Sequence, residues 1–243
     1  MIRRMVVIAL SLLWLCPFQA AAETVRIAHQ EHFPPFVEVK DGKSVGLVVD
    51  IVRAAAAKAG IDVVFVPVPF EQVQGTLRDG RAEAIVPLAI TSERLPSFDF
   101  SAPLLMTGGA LYVRAPNPTP ANLAALSGKT VVTPGTGPLA AYIRKHAPDI
   151  KLVITTDYEQ SLSRIVKGEA DAAALNYQVG ASMAAHLYPG QVTMPNMMFE
   201  EIPDAVAVAK GQHAEVLKKL DTGIGAIRAD GSWQKINERW MGR

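Results

Sequence analysis

Twice along this chain, short apolar runs alternate with helix-length amphipathic segments, and that alternation restricts the fold to a mostly parallel sheet with both faces covered. In the first series Thr24 to Ala28 alternates as a strand, and Val45 to Ala59 reads as a helix closed by Gly60. Asp62 to Val68, Phe70 to Arg78 and Ala82 to Pro87 continue it as strand, helix and strand. Between the first strand and the first helix, Asp41-Gly42 is a hairpin turn joining the segment from Phe36 to Ser44-Val45. A second series follows the proline-rich stretch Pro116 to Pro120: strand Thr130 to Thr133, helix Leu139 to His146, strand Lys151 to Thr155, helix Tyr158 to Lys167, strand Asp171 to Leu175. Extended segments at Gly109 to Arg114 and Ala205 to Lys210 flank this block. The chain is therefore expected to cross into a second lobe and return, with a helical ending that carries Trp233 and Trp240.

A length of 243 residues accommodates one large or two small domains without disulfide staples. With 49% hydrophobic and 19% charged residues and a formal charge of +1, the chain is globular and has no electrostatic footprint for nucleic acid. Part of the apolar excess lies in the run from Met5 to Cys16, behind Arg3 and Arg4 and ahead of Ala20-Ala21-Ala22. That run is about half of the roughly 20 apolar residues a spanning helix needs, and with small residues at its end it reads as a cleavable export signal over residues 1–22. Cleavage removes both arginines and no acid, taking the charge from +1 to −1, and it also removes the single cysteine. Thiol catalysis, disulfides and cysteine–zinc sites are thereby excluded from the mature chain. Lipidation at Cys16 is disfavoured by the bulky Trp14 and Leu15 before it.

Phe33-Pro-Pro-Phe36, Gly46-Leu-Val-Val-Asp50-Ile51, Ile90-Thr-Ser-Glu-Arg94, Phe98-Asp-Phe-Ser-Ala-Pro103, Gly135-Thr136, Gly168-Glu-Ala-Asp171 and Asp230-Gly-Ser-Trp233 with Trp240 occur in that order. In these features the chain, from Glu23 to its end, resembles the periplasmic solute-binding proteins of the amino-acid-binding type (bacterial extracellular solute-binding proteins, family 3). The resemblance implies a type II periplasmic-binding-protein fold, α/β, with two lobes joined by two hinge strands and a ligand cleft between them. The expected lobe boundaries are 23–111 with 207–243 for the first lobe and 112–206 for the second. It further implies a periplasmic monomer that closes on a small carboxylate-bearing solute and presents the closed form to the membrane permease of an ABC importer, without a cofactor or metal.

Within that resemblance Arg94 is the expected carboxylate fork, since a guanidinium offers two parallel hydrogen bonds where a lysine offers a point charge. Thr136 and Gly137, in a turn between strand and helix, would add backbone amides and a helix N-terminus from the second lobe. Phe33 and Phe70 would form apolar walls around the solute, and Gln30, Pro87, Ala89 and Asn176 complete the expected contacts. Amino-acid binders of this kind hold the ligand ammonium with an acid and a hydroxyl, at positions that here carry Asn176 and Ala89. An unpaired buried ammonium is costly, so the sequence points to a carboxylate whose remainder is neutral.

Other motifs compete. Gly135-Thr-Gly137-Pro-Leu-Ala140 with Asp157 downstream fits a dinucleotide fingerprint, but Pro138 deletes an amide that phosphate would use. Gly42-Lys-Ser44-Val-Gly46 fits a serine-hydrolase elbow but follows a hairpin turn rather than ending a strand before a helix. Ser127-Gly-Lys-Thr130 lacks the first glycine of a phosphate loop. His29 and His32 with Glu31 lack a distant third metal ligand. The alternative functions are an enzyme on the same scaffold, such as a dehydratase using His29, Glu31 or His32, and a sensory ligand-binding protein.

Overall fold

A computed structural model describes residues 24–135 and 137–241; the expected export signal at 1–22 and the site candidate Thr136 lie outside the described residues. In the first part of the chain, β1 (Thr24–Gln30) is followed by a small antiparallel sheet of β2 (His32–Phe33), β3 (Val37–Lys40) and β4 (Lys43–Val45). Helix α1 (Leu47–Ala59), β5 (Asp62–Val68), a short 3-10 turn at Phe70–Gln72, α2 (Val73–Arg78), β6 (Ala84–Ala89) and β7 (Phe98–Phe100) complete it. The chain leaves along β8 (Leu105–Arg114) and forms β9 (Thr130–Pro134), α3 (Leu139–His146), β10 (Lys151–Thr155), α4 (Tyr158–Lys167), β11 (Ala172–Asn176), α5 (Tyr177–Leu187) and β12 (Val192–Thr193). It returns along β13 (Glu201–Ala209) and ends in α6 (Ala214–Ala229) and α7 (Ser232–Met241).

The main sheet runs β10-β9-β11-β8-β13-β6-β1-β5. Its two ends are parallel, as the strand–helix alternation requires, while its centre is antiparallel. The centre is the crossing itself. Leu105 to Gly108 of the outgoing strand pair with Asp204 to Glu201 of the returning one, and β8 then pairs with β11 from Gly109 onward. A chain that leaves one lobe and comes back along the neighbouring path must place its two crossing strands antiparallel. The result is a two-lobe α/β fold with a pair of hinge strands.

Local signals explain the element ends. Gly60 closes α1 in the left-handed region at φ 68°, its amide donating to the carbonyls of Ala56 and Ala57. Asp157 caps α4 by accepting from the Gln160 amide at 2.7 Å. Gly46, at φ 136°, lies so close to the backbone of Phe36 that a Cβ would collide with it, which fixes the small sheet against the start of α1. The buried faces of α1, α6, α4 and α5 join the strands in one extended core, in which Tyr112 of β8 is fully buried. Its hydroxyl donates to the carbonyl of Tyr177, tying the hinge strand to α5. Among the described residues no helix is long and apolar enough to cross a membrane.

Candidate ligand-binding site

The parallel strands of both lobes end at one place. β1 stops at Gln30, β6 at Ala89, β9 at Pro134, β10 at Thr155 and β11 at Asn176. Open α/β sheets form their ligand crevices outside such carboxyl ends, and a cavity of about 500 Å³ occupies this space. Gln30, Phe33, Phe70, Pro87, Ala89 and Arg94 line it from the first lobe, and Gly137 and Asn176 from the second.

Arg94 sits in the turn after β6. Its backbone amide donates to Thr91 at 3.0 Å, and its Nη1 donates to the carbonyl of Ala89 at 3.0 Å. That single tether orients the half-buried guanidinium and leaves most of its donors without a protein acceptor among the described residues. Burial lowers its pKa, opposed by the charges of Asp204 and Glu93, but an arginine remains protonated under these conditions. Phe70, 41% exposed at the cavity, is poorly explained as core. Phe33 packs edge-on against both Phe36 of its own lobe and Tyr158 of the other.

Two expected contacts are modified by their surroundings. The amide of Gly135 is not free for an anion: it donates to the Thr155 carbonyl at 3.2 Å, joining β9 to the end of β10. What the turn retains is Gly137 and the first turn of α3, which has no side-chain cap among the described residues. Asn176 is first of all the N-cap of α5, its Oδ1 accepting from the amides of Gln178 and Val179 at 3.1 Å each. Its Nδ2 donates to Thr107 Oγ1 at 2.5 Å, and Thr107 donates in turn to Gln178 Oε1 at 2.7 Å. The second Nδ2 hydrogen of Asn176 has no acceptor among the described residues.

The competing motifs also find their places. Asp157 is engaged in capping α4, and its Oδ2 accepts from Thr156 Oγ1 at 2.9 Å. Ser44 and His29 do meet, Oγ to Nε2 at 2.7 Å, but both are buried and neither lines the cavity. His29 Nδ1 lies 2.7 Å from the Gln30 carbonyl, which only accepts, so Nδ1 carries the hydrogen and Nε2 accepts from Ser44.

Sequence reasoning missed Tyr158, Thr107 and Asp204, all of which line the cavity. Asp204 is 5% exposed, directly across the β6–β13 pair from Ala89. Burial pushes its carboxyl up to about 7, partly offset by Arg94. A lone acid heading the apolar run Ala205-Val-Ala-Val-Ala209 was the available signal.

Comparison with known proteins agrees with the two-lobe fold. The family model of bacterial extracellular solute-binding proteins, family 3, matches residues 25–243. The chain is 24% identical over 229 residues to ABC transporter arginine-binding protein 1 of Escherichia coli (strain K12), covering 91% of this chain and 92% of that protein. It is 23% identical over 223 residues to the L-cystine-binding protein TcyJ of the same strain, covering 90% and 83%. Among solved structures it is similar to an ancestral arginine-binding protein bound to glutamine, at a TM-score of 0.79 and 28% identity over 92% of this chain and 100% of that one. A histidine kinase sensor domain shares the fold at a TM-score of 0.81 and 23% identity, over 91% and 97%. A two-lobe sheet with paired hinge strands, a cavity at the strand ends and a family match across nearly the whole described chain lead to one conclusion: this protein belongs to the bacterial extracellular solute-binding proteins, family 3.

Proposed function

We propose that the protein captures a small carboxylate-bearing solute, an amino acid or a related organic acid, in the periplasm and delivers it to the permease of an ABC importer. The observation that carries the reading is the half-buried guanidinium of Arg94 at the cavity wall, oriented by the Ala89 carbonyl with its other donors unengaged among the described residues. The first turn of α3, without a side-chain cap among the described residues, faces the same cavity through Leu139 and supplies a second, weaker attraction for an anion. Phe33 and Phe70 provide apolar walls for the solute's body. The names of the relatives, which speak of arginine and cystine, support an amino acid or a close analogue. The lobes that close on it are 23–111 with 207–243, and 112–206.

The test is a thermal-shift screen of amino acids, keto acids, hydroxy acids and amines against the mature chain, followed by calorimetry on the best hit. A specific solute at 100 times its Kd stabilises the protein by about 2.7 kcal/mol, and mass spectrometry should recover it chemically unchanged. Arg94→Ala should lose affinity by about 30-fold or more, the effect of removing one partner of a desolvated charge pair. Full affinity in Arg94→Ala would overturn the reading.

A further inference from the structure

The positions that the sequence marked as unable to balance a cation, Ala89 and Asn176, sit on either side of a carboxyl that the sequence reading did not include. Asp204 lies directly opposite Ala89 in the β6–β13 ladder, and residues opposite one another in an antiparallel pair project from the same face. Both line the cavity. Two residues earlier on the same face of β13, Ile202 also lines it; opposite Ile202 stands Thr107, whose hydroxyl accepts from Asn176. A continuous wall thus runs from Ala89 through Asp204 and Ile202 to Thr107 and Asn176, across the hinge.

Asp204 is the one acid on that wall, and its carboxyl is unused. Among the described residues it accepts no hydrogen bond, and Arg94 is the one charge that acts on it. Arg94 does not close on it as an ion pair; its Nη1 is held by the Ala89 carbonyl instead. An acid 5% exposed, opening into a cavity and left without a hydrogen-bond donor among the described residues, carries a large desolvation cost that Arg94 offsets only in part. A bound cation would offset it.

We infer that Asp204, on the returning hinge strand, is the cation-recognising residue of the cleft, so that the preferred solute carries an ammonium or similar cationic donor together with its carboxylate. This rests on the carboxylate reading of Arg94 and reverses the expectation that the remainder of the solute is neutral. The anion site at Arg94, in the turn after β6, and the cation site at Asp204, on the returning hinge strand beside β6, then adjoin one another, with the Thr107–Asn176 network at the far end of the same wall. The elevated pKa of Asp204 agrees with an acid awaiting a counter-ion.

The experiment uses the mature chain, its Asp204→Asn variant and matched triads of probes. These are L-glutamine, 5-amino-5-oxopentanoate and 4-aminobutanamide; L-norvaline, pentanoate and butylamine; and L-phenylalanine, 3-phenylpropanoate and 2-phenylethylamine. In each triad the second member lacks the ammonium and the third lacks the carboxylate. Calorimetry should find the wild type preferring an amino acid over its deaminated partner, and Asp204→Asn should reduce that ratio by about 30-fold or more. Asp204→Asn is isosteric and should keep or raise the melting temperature of the ligand-free protein, which separates recognition from a structural role; Asp204→Ser repeats the measurement should the amide repack. A wild type that binds the deaminated acids as well as the amino acids, or a ratio that survives Asp204→Asn, overturns the assignment and leaves the carboxylate reading intact. Asp204-dependent binding of the amines, with no gain from a carboxylate, overturns the carboxylate reading and upholds the assignment. Binding of no probe by the wild type counts against both.

Discussion

Phe33 of the first lobe meets Tyr158 of the second edge-on, ring centroids 5.6 Å apart and planes 79° to one another. Phe33 is held from behind by Phe36, also edge-on at 5.8 Å, and the Tyr158 hydroxyl accepts from the Asn176 amide at 3.4 Å. The contact therefore links two rigid supports across the cleft. An edge-to-face aromatic pair contributes about 0.5–1.5 kcal/mol beyond its burial. Tyr158→Ala should therefore shift the open–closed balance toward open by roughly 2- to 12-fold. Small-angle scattering of the ligand-free variant should give a larger radius of gyration than the wild type; an identical profile would show that the pair does not hold the lobes together.

The fork of Arg94, rather than its charge alone, is expected to bind the carboxylate. Arg94→Lys keeps the charge but replaces two parallel donors with a compact ammonium that cannot also hold the Ala89 carbonyl in the same geometry. Affinity for the best solute should fall by about 10-fold in Arg94→Lys, less than in Arg94→Ala. Equal affinities in wild type and Arg94→Lys would reduce the role of this residue to a point charge.

Recognition of a cationic solute by Asp204 should depend on pH. Such a solute binds the ionised carboxyl, and burial has raised the carboxyl to about 7, so affinity should fall as pH drops through 7. Arg94 and Tyr158 are the titratable groups coupled to it, Glu93 acts on Arg94, and His32, Glu71, Asp157 and Glu159 line the same cavity. Asp204→Asn should flatten the affinity profile and His32→Gln should leave its midpoint in place. In the ligand-free protein the sign is opposite. A carboxyl whose folded pKa lies above its unfolded value of 3.8 favours the folded state at low pH, and that contribution is lost as pH rises through about 7.

His29 should act on stability in the other direction. It is 0% exposed, stacked edge-on with Phe65 at 5.9 Å, between the Ser44 hydroxyl and the Gln30 carbonyl. Burial is the main cause that depresses its pKa; Arg53 adds to it, while the Gln30 carbonyl and Glu31 oppose it. The unfolded state then binds the proton more readily, so the stabilisation is present above the ordinary histidine value near 6.5 and is lost as pH falls toward the folded value. Urea denaturation from pH 8 to pH 5 should show this loss, and His29→Gln should reduce its slope. An unchanged slope would assign the acid sensitivity to other groups.

Two glycines of α6 should respond oppositely to the same substitution. A Cβ on Gly223 would enter the backbone of Ala55 in α1, which has no freedom to withdraw, whereas a Cβ on Gly225 meets nothing within 4 Å. Gly223→Ala should destabilise by about 3 kcal/mol through separation of the two helices. Gly225→Ala should stabilise by about 0.5–1 kcal/mol by removing backbone freedom from the unfolded chain. Denaturation midpoints of the two variants report both signs at once.

Much of the architecture was determined by local sequence. The limits of β5, α3, β10 and α4 were legible to the residue, because alternation, caps such as Asp157 and stops such as Gly60 act within a few positions. The returning strand was placed at Ala205, although it begins at Glu201. Pro203 and the acid Asp204 interrupt its apolar pattern, and only pairing with β6 and β8 makes that stretch a strand. Phe33, Phe70, Pro87 and Arg94 could be singled out because the family resemblance marks their positions; Phe33, Phe70 and Arg94 follow strand ends and Pro87 lies within β6, and all four line the cavity. Asp204, Thr107 and Tyr158 could not, since their approach to one another depends on the register of two crossing strands from distant parts of the chain and on the packing of α4. Tertiary structure also decided which amides stay available: Gly135 loses its own to Thr155, a partner 20 positions away that no local pattern specifies. Short-range physics in the sequence determined the alternating strands and helices, and long-range strand pairing decided that Asp204 stands opposite Ala89 at the cavity.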